Sequence, residues 1–306
     1  MAVNKLLLQP SRTELLRSKP FEILGTRTAA SFTVILGLIK VNGILFTYFK
    51  IAMIVTHHQK SAPADLQVIR LSMVVPCFNE ESGLDQLAAR IEALRIKFHD
   101  RLDVEVVFVD DGSTDLTWQG LKSRFERFSW CKLVQHPQNR GITASIQTGI
   151  IHSSNEFVAS IDADCTYDPI QVMALVDLMT SDIAMVTASP YHPLGKVVGV
   201  PRWRLALSRF ASRGYSLLLG TSLHTYTSCF RVHRRSIMTQ LPVRESGFVG
   251  IAEMLWQVQR SGGRIVEAPA CLTSRKLGFS KMRTLPVILA HLRLMLRILM
   301  TRISRK

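Results

Sequence analysis

Acidic side chains are scarce in this chain of 306 residues: 23 Asp and Glu stand against 38 Lys and Arg, a formal net charge of +15. That balance points to an anionic neighbour, and leaves nucleic acid, anionic lipid and phosphorylated substrate as alternatives. Aromatic residues are also few, at 8%. The basic residues gather in one later segment and in the tail, and with aromatics this few overall the pattern argues against nucleic acid as the partner. The five cysteines, Cys77, Cys131, Cys165, Cys229 and Cys271, lie at least 34 residues apart. Zinc-ligand and redox-motif spacings are therefore excluded, and the chain reads as reduced and cytosolic. With 17 Gly and 12 Pro against 47% hydrophobic residues, a fibrous or disordered chain is excluded and a sizeable core is expected. Repeats and low-complexity tracts are missing too. About thirty mixed polar residues precede the first apolar run, so the amino terminus does not read as a signal peptide.

Two apolar segments flank the middle of the chain. From Phe32 to Val55 a run long enough to cross a bilayer is interrupted by Lys40 and Lys50. A central lysine costs roughly 2.5–3.5 kcal/mol on insertion scales, which spoils a clean transmembrane helix. The expectation is an apolar helix, either membrane-associated or packed on the main domain. At the other end, Leu285 to Lys306 is overwhelmingly apolar, with Arg293, Arg297, Thr301 and Arg305 at fourfold spacing. On a helix these form one narrow polar stripe beside a broad apolar face. Such a helix could cap a core, but the basic stripe favours an anionic membrane surface. The organisation expected is an amino-terminal extension over 1–66, a main domain over 67–283 and a basic amphipathic helix over 284–306.

Within the main domain, short runs rich in Val, Ile and Phe alternate with segments that can hold helices. The strands are expected at 71–75, 104–109, 132–135, 157–161 and 183–187, and the helices at 80–98, 115–128, 143–152 and 169–179. This alternation predicts an α/β domain with a mostly parallel central sheet. Ligands of such sheets bind beyond the carboxyl ends of the strands. Glu80 and Glu81 follow the first strand there, Asp110 and Asp111 the second, and Asp162 and Asp164 the fourth. Three acidic clusters on one edge of a basic protein suit a divalent cation, or the hydroxyl and N–H groups of a nucleotide. Hard cations take few protein carboxylates when diphosphate oxygens and water complete the octahedron.

Four segments in order carry a resemblance: Val74-Val75-Pro76-Cys77-Phe78-Asn79-Glu80-Glu81, Val109-Asp110-Asp111-Gly112-Ser113-Thr114-Asp115, Asn139-Arg140-Gly141 and Asp162-Ala163-Asp164. Together they are similar to the signatures of family 2 glycosyltransferases. Ser228-Cys229-Phe230-Arg231-Val232-His233-Arg234-Arg235, Glu267-Ala268-Pro269 and the segment from Arg275 to Met282 resemble its polyprenyl-phosphate, dolichol-phosphate mannose synthase-like branch. The resemblance covers about residues 70–283. It implies a GT-A type fold and an inverting, Mg²⁺- or Mn²⁺-dependent hexosyl transfer at the cytoplasmic face of a membrane. The donor would be a nucleotide sugar of GDP-mannose or UDP-glucose type, and the acceptor a polyprenyl phosphate. By position in the motifs, Pro76, Phe78, Glu80, Asp110 and Asp111 would contact the base and ribose, Asn139 would be a further substrate contact, and Asp162 and Asp164 would serve the metal and diphosphate. Arg204 and Ser208 would serve the acceptor phosphate and Arg231 would bind substrate, while Arg275, Ser280 and Lys281 would form a closing phosphate-binding loop. A partner subunit could supply a membrane anchor.

An anionic lipid phosphate needs no general base, and no Ser/His/Asp or Cys/His constellation is evident. Guanidinium groups hold phosphate oxygens bidentately, which accounts for arginine at the acceptor. Three positions depart from the branch: Thr166 in place of a metal-binding Gln, Pro190 in place of an Arg before Tyr191, and Thr225 in place of an acidic residue. A second reading keeps the donor site but takes a saccharide acceptor for surface polysaccharide; it needs a carboxylate base, for which Glu253 is the candidate. His136, His192 and His224 sit near loop ends and read as surface or packing residues.

Overall fold

The computed structural model describes residues 68–275 and 284–304, together with the backbone of 32–41 and 44–53. The chain divides into two compact units, 1–66 and 67–306. In the first, strands β1 (Phe32–Val41) and β2 (Ile44–Met53) pair antiparallel, from Val41 opposite Ile44 to Phe32 opposite Met53. A hairpin thus stands where the sequence reading expected a helix. The residues explain it: both segments are rich in Val, Ile, Thr, Phe and Tyr, and Asn42-Gly43, the dipeptide most favoured in two-residue hairpins, separates them.

The second unit begins with the expected alternation: β3 (Ile69–Cys77), α1 (Leu84–Lys97), β4 (Leu102–Asp110), α2 (Thr117–Phe125), β5 (Cys131–Gln135), α3 (Ile142–His152), β6 (Phe157–Ser160), α4 (Val172–Val176) and β7 (Ile183–Ser189). It continues with β8 (Lys196–Val198), α5 (Arg202–Leu219), β9 (Arg231–Arg234), α6 (Arg235–Met238), α7 (Val249–Arg260), β10 (Arg264–Pro269), β11 (Cys271–Thr273) and α8 (Thr284–Ile303). Seven described strands form one sheet in the order β10-β7-β9-β6-β3-β4-β5. Neighbours are parallel except β9, which runs antiparallel to both β6 and β7. A parallel pair, β8 and β11, forms a second small sheet that carries the chain towards Arg275.

Both faces of the main sheet are covered, which is why its strands read as continuous apolar runs. Leu71, Met73 and Val75 of β3 pack on one side with α1 and α2 residues such as Leu87, Ile91 and Leu121. Val74, Val107 and Val109 pack on the other with Ile146 of α3 and Leu255 of α7. Helix α3 lies so close that a Cβ on Gly149 would come within 2.2 Å of Val74. Among the described residues no helix is long and apolar enough to cross a membrane.

Candidate functional site

The carboxyl ends of β3, β4 and β6 open onto a cleft of about 840 Å³. Pro76, Phe78, Glu80, Asp111, Asn139, Asp162, Asp164, Arg204 and Arg275 all line it. Local sequence builds each wall. After β3, Asn79 takes a left-handed conformation at φ 53° and its side chain accepts from the Thr114 N–H at 2.7 Å. The Ser113 hydroxyl accepts in return from the Asn79 N–H at 2.9 Å, so the loops after β3 and β4 are stitched together. Gly112 turns there at φ 69°, where a Cβ would lie 2.4 Å from the Gln138 backbone.

Asp111 is held by three donors: His136 Nδ1 at 2.7 Å, the Arg140 N–H at 2.9 Å and the Gly141 N–H at 2.8 Å. Its neighbour Asp110 is wholly buried and does not line the cleft. One Asp110 oxygen accepts from Gln135 Nε2 at 3.0 Å; the other has no hydrogen-bond partner among the described residues. The two acids of this motif are therefore unequal, one at the wall and one behind it.

On the floor, burial and the neighbouring Asp164 push the Asp162 carboxyl up to about 7, opposed by the Cys229 thiol and Arg275. Two mutually repelling carboxylates side by side are a fit for a hard divalent cation. Among the described residues no cluster of three His, Cys, Asp or Glu could hold a metal, so the rest of an ion's ligands would come from substrate and water. Thr166, standing where the branch has Gln, lines the cleft, and its carbonyl accepts from the Thr273 N–H at 2.9 Å. Arg275 spans the floor, with Nε 3.0 Å from Asp164 and Nη2 2.7 Å from Glu80.

Other candidates lie elsewhere. Ser208 meets the Thr227 hydroxyl at 3.2 Å and does not line the cleft. Arg231 is buried in β9, donating to the Ile251 carbonyl at 2.5 Å and the Tyr226 carbonyl at 2.7 Å; burial lowers it to about 10. Its geometry is that of a strut for the backbone, contrary to the substrate contact expected. Glu253 is wholly buried in α7. One of its oxygens accepts from Arg297 at 2.6 Å, the other from the Arg244 and Glu245 N–H groups at 2.9 and 2.8 Å. It does not face the cleft as an acceptor-side carboxylate should. Ser280 and Lys281 lie outside the described residues. The departures at Pro190 and Thr225 fall at one place, where the Thr225 hydroxyl meets that of Ser189 at 2.7 Å.

The sequence reading missed part of the lining: Gly199, Val200 and Pro201 before α5, Ser145 in α3, and Gly247 and Phe248 before α7. These residues bear no charge and no motif. Their placement follows from long-range contacts, such as the Thr143 N–H donating to the Ser246 carbonyl at 2.8 Å.

Helix α8 corrects the reading of its polar stripe. Arg297 turns inward to Glu253, and His291 meets the Tyr215 hydroxyl at 2.8 Å. The exposed side instead carries Leu285, Leu289, Leu292, Leu296, Leu299 and Ile303, together with Arg293. Arg305 lies outside the described residues.

The solved structure of glucosyl-3-phosphoglycerate synthase from Mycobacterium tuberculosis, in complex with Mn²⁺, UDP and glucosyl-3-phosphoglycerate, shares this architecture. The TM-score is 0.55 at 20% identity, covering 76% of this chain and 80% of that one. Polyprenol monophosphomannose synthase of Mycolicibacterium smegmatis is 27% identical over 221 residues, 70% of this chain and 81% of the relative. Dolichol-phosphate mannosyltransferase of Pyrococcus furiosus is 24% identical over 218 residues, covering 70% and 60%. Dodecaprenyl-phosphate galacturonate synthase of Rhizobium johnstonii is 30% identical over 187 residues, covering 58% and 51%. The chain thus spans little more than half the length of the last two relatives. Residues 72–241, more than half of the chain and the stretch that carries the strand-end acids, match the glycosyl transferase family 2 profile, and the chain belongs to that family.

Proposed function

We propose that the protein transfers a hexosyl group from a nucleotide sugar to a polyprenyl phosphate, with inversion, at the cytoplasmic face of a membrane. The observation that carries this reading is the cleft itself. Asp162 and Asp164 line it together with two arginines, Arg204 and Arg275, so one space can receive both a metal-bound diphosphate and a second phosphate. The three curated relatives named above act, by their names, on polyprenyl or dolichol phosphates.

In the reaction, an oxygen of the acceptor phosphate bonds to the anomeric carbon as the bond from that carbon to the diphosphate oxygen breaks. The electron pair leaves on the nucleoside diphosphate. The nucleophile is already an anion, so the protein's task is to bring two repelling phosphates together and to stabilise the departing charge. Asp162 and Asp164 would hold Mg²⁺ or Mn²⁺, which supplies charge neutralisation at the diphosphate when bound. Arg204, at the cleft and in the first turn of α5, offers a planar fork to the acceptor phosphate. Arg275 can trade Asp164 and Glu80 for phosphate oxygens. A saccharide acceptor draws no support from Glu253, whose carboxylate is sealed.

The membrane side of the reading rests on α5 and α8. Trp203, Leu207, Phe210 and Leu217 are exposed on α5, and the leucine row on α8. The two helices pack together, with a Cβ on Gly214 coming within 2.9 Å of Met295. Arg202, Arg209, Arg213 and Arg293 are exposed on the same two helices, which suits anionic headgroups beside acyl chains. Because Arg204 belongs both to α5 and to the cleft, a lipid phosphate reaching it need not leave the bilayer surface. The test is to incubate the protein with radiolabelled nucleotide sugars, vesicles containing a polyprenyl phosphate, and Mg²⁺ or Mn²⁺, and then to extract the lipid. Label in the lipid fraction that depends on metal and acceptor supports the reading; label confined to water-soluble glycans or free sugar overturns it.

A further inference from the structure

His136, which follows the last residue of β5, has both ring nitrogens engaged while its side chain is only 4% exposed. Nδ1 lies 2.7 Å from Asp111 Oδ1, and Nε2 lies 2.9 Å from the Thr148 hydroxyl of α3. A carboxylate oxygen is an acceptor, so Nδ1 carries the proton, and Nε2 of the neutral ring can accept from Thr148. The His136 N–H also donates to the Asp110 carbonyl at 2.8 Å. The residue is thereby fastened to the β4 end by its backbone and to α3 by its ring.

The Asp111 carboxylate has about four acceptor sites. Oδ1 is filled by His136 and the Arg140 N–H, whereas among the described residues Oδ2 takes only the Gly141 N–H. One acceptor site on Oδ2 is therefore left over at a residue that lines the cleft. Without the imidazole, the buried carboxylate would lack a donor and could rotate to recover one, carrying the 139–141 wall with it. We infer that His136 is a positioning residue for nucleotide binding: it holds Asp111 so that its two oxygens fix the Arg140 and Gly141 N–H groups of the wall while Oδ2 can also accept from the nucleoside. The inference rests on the proposed nucleotide-sugar donor and adds a residue that the motifs do not include.

The test is calorimetric binding of UDP and of GDP, with Mn²⁺ present, to wild type and three variants, each also melted. His136→Phe keeps the bulk and removes both ring nitrogens, and should weaken the better-bound nucleotide at least tenfold. His136→Asn places an N–H near the position of Nδ1 and should recover affinity to within about threefold of wild type. Thr148→Val frees Nε2 alone and should cost two- to threefold, which keeps the proposal testable if His136→Phe does not fold. In transfer assays the loss should appear in KM for the nucleotide sugar, with kcat and the acceptor KM unchanged. Wild-type affinity in His136→Phe, or His136→Asn no better than His136→Phe when both melt like wild type, would mean that the ring only packs. If His136→Phe does not fold, wild-type affinity in Thr148→Val has the same meaning. Should wild type itself bind neither nucleotide, the donor reading fails and the positioning role fails with it.

Discussion

Acid and arginine meet in a cluster at the strand ends and in another beneath α8, and the two differ in whether a ligand can reach the carboxylates. In the cleft, Arg275 bridges Asp164 and Glu80, and the three side chains are 19%, 17% and 13% exposed. Under α8, Arg297, itself 29% exposed, meets Glu253, whose side chain is 0% exposed and whose other oxygen is filled by backbone N–H groups. An ion pair that a ligand can reach can be exchanged for ligand contacts. A carboxylate sealed on every side can only keep or lose its partner, and losing it leaves an uncompensated charge. The first arrangement suits binding and the second suits holding α7 and α8 together.

Asp164→Ala tests that division most severely. Transfer should fall by about 10²–10³-fold, the scale of losing one electrostatic contact to developing charge. Stability should change little, because Arg275 keeps its bond to Glu80. Initial rates at saturating metal, with a thermal melt beside them, check both halves. Near wild-type turnover would remove Asp164 from the metal and diphosphate.

Glu253→Ala should do the reverse. Loss of the sealed carboxylate strands part of Arg297 and two backbone N–H groups, at a cost of about 3 kcal/mol. The melting temperature should drop while KM for the nucleotide sugar stays unchanged. A variant that melts like wild type but cannot glycosylate a saccharide would return Glu253 to the role of acceptor-side base.

The contrast also explains what could be read before folding. Strand-end motifs carry their own placement, because a parallel sheet delivers the ends of β3, β4 and β6 to one edge whatever else the chain does. Glu80, Asp162 and Asp164 were legible for that reason. A helical stripe shows only which residues share a face, and not which face meets the protein. The stripe of α8 looked like a headgroup contact because nothing local to 284–306 announces Glu253 as the partner of Arg297. Strand β9 hid for a similar reason: Arg231 and His233 are polar in sequence yet 2% and 1% exposed. The hairpin of β1 and β2 was obscured by its length, since an apolar run of that size suits a helix equally well.

If the outer face of α8 meets a bilayer, its leucines should matter more than its arginine. Changing Leu289, Leu292 and Leu296 to Ser removes apolar side chains worth about 1.5–3 kcal/mol each when fully buried. Because the face is only half immersed, vesicle binding should weaken about a hundredfold. Arg293→Gln should cost about 1 kcal/mol on anionic vesicles, and nothing at high salt. Vesicle flotation across a salt series separates the two. An unchanged triple variant would assign the face to another copy of the chain or to a partner protein.

Arg204→Lys probes the acceptor side of the cleft. Lysine keeps the charge and loses the fork, so KM for the lipid phosphate should rise about tenfold, the equivalent of roughly 1.4 kcal/mol in binding. KM for the nucleotide sugar should hardly move. An equal rise in both would place Arg204 at the diphosphate.

The smallest effect expected is a pH dependence on the inward side of α8. Burial lowers the pKa of His291 below its ordinary value, while its ring meets Tyr215 of α5. A histidine depressed in the fold takes up its proton more readily when unfolded. In the interval between its folded and unfolded pKa the unfolded chain therefore binds more protons, and stability falls as pH falls. Stability is full above the ordinary histidine pKa, near 6.5, and declines as the solution becomes more acid. Melting temperatures between pH 7.5 and 5.5 should drop more steeply for wild type than for His291→Gln, which keeps a polar partner for Tyr215 and cannot be protonated. Donor binding over the same interval should not follow this difference, because His291 lies outside the cleft. Equal slopes in the two proteins would mean that α8 stays docked whether or not His291 is charged, held by Leu294, Ile298 and the Arg297–Glu253 pair.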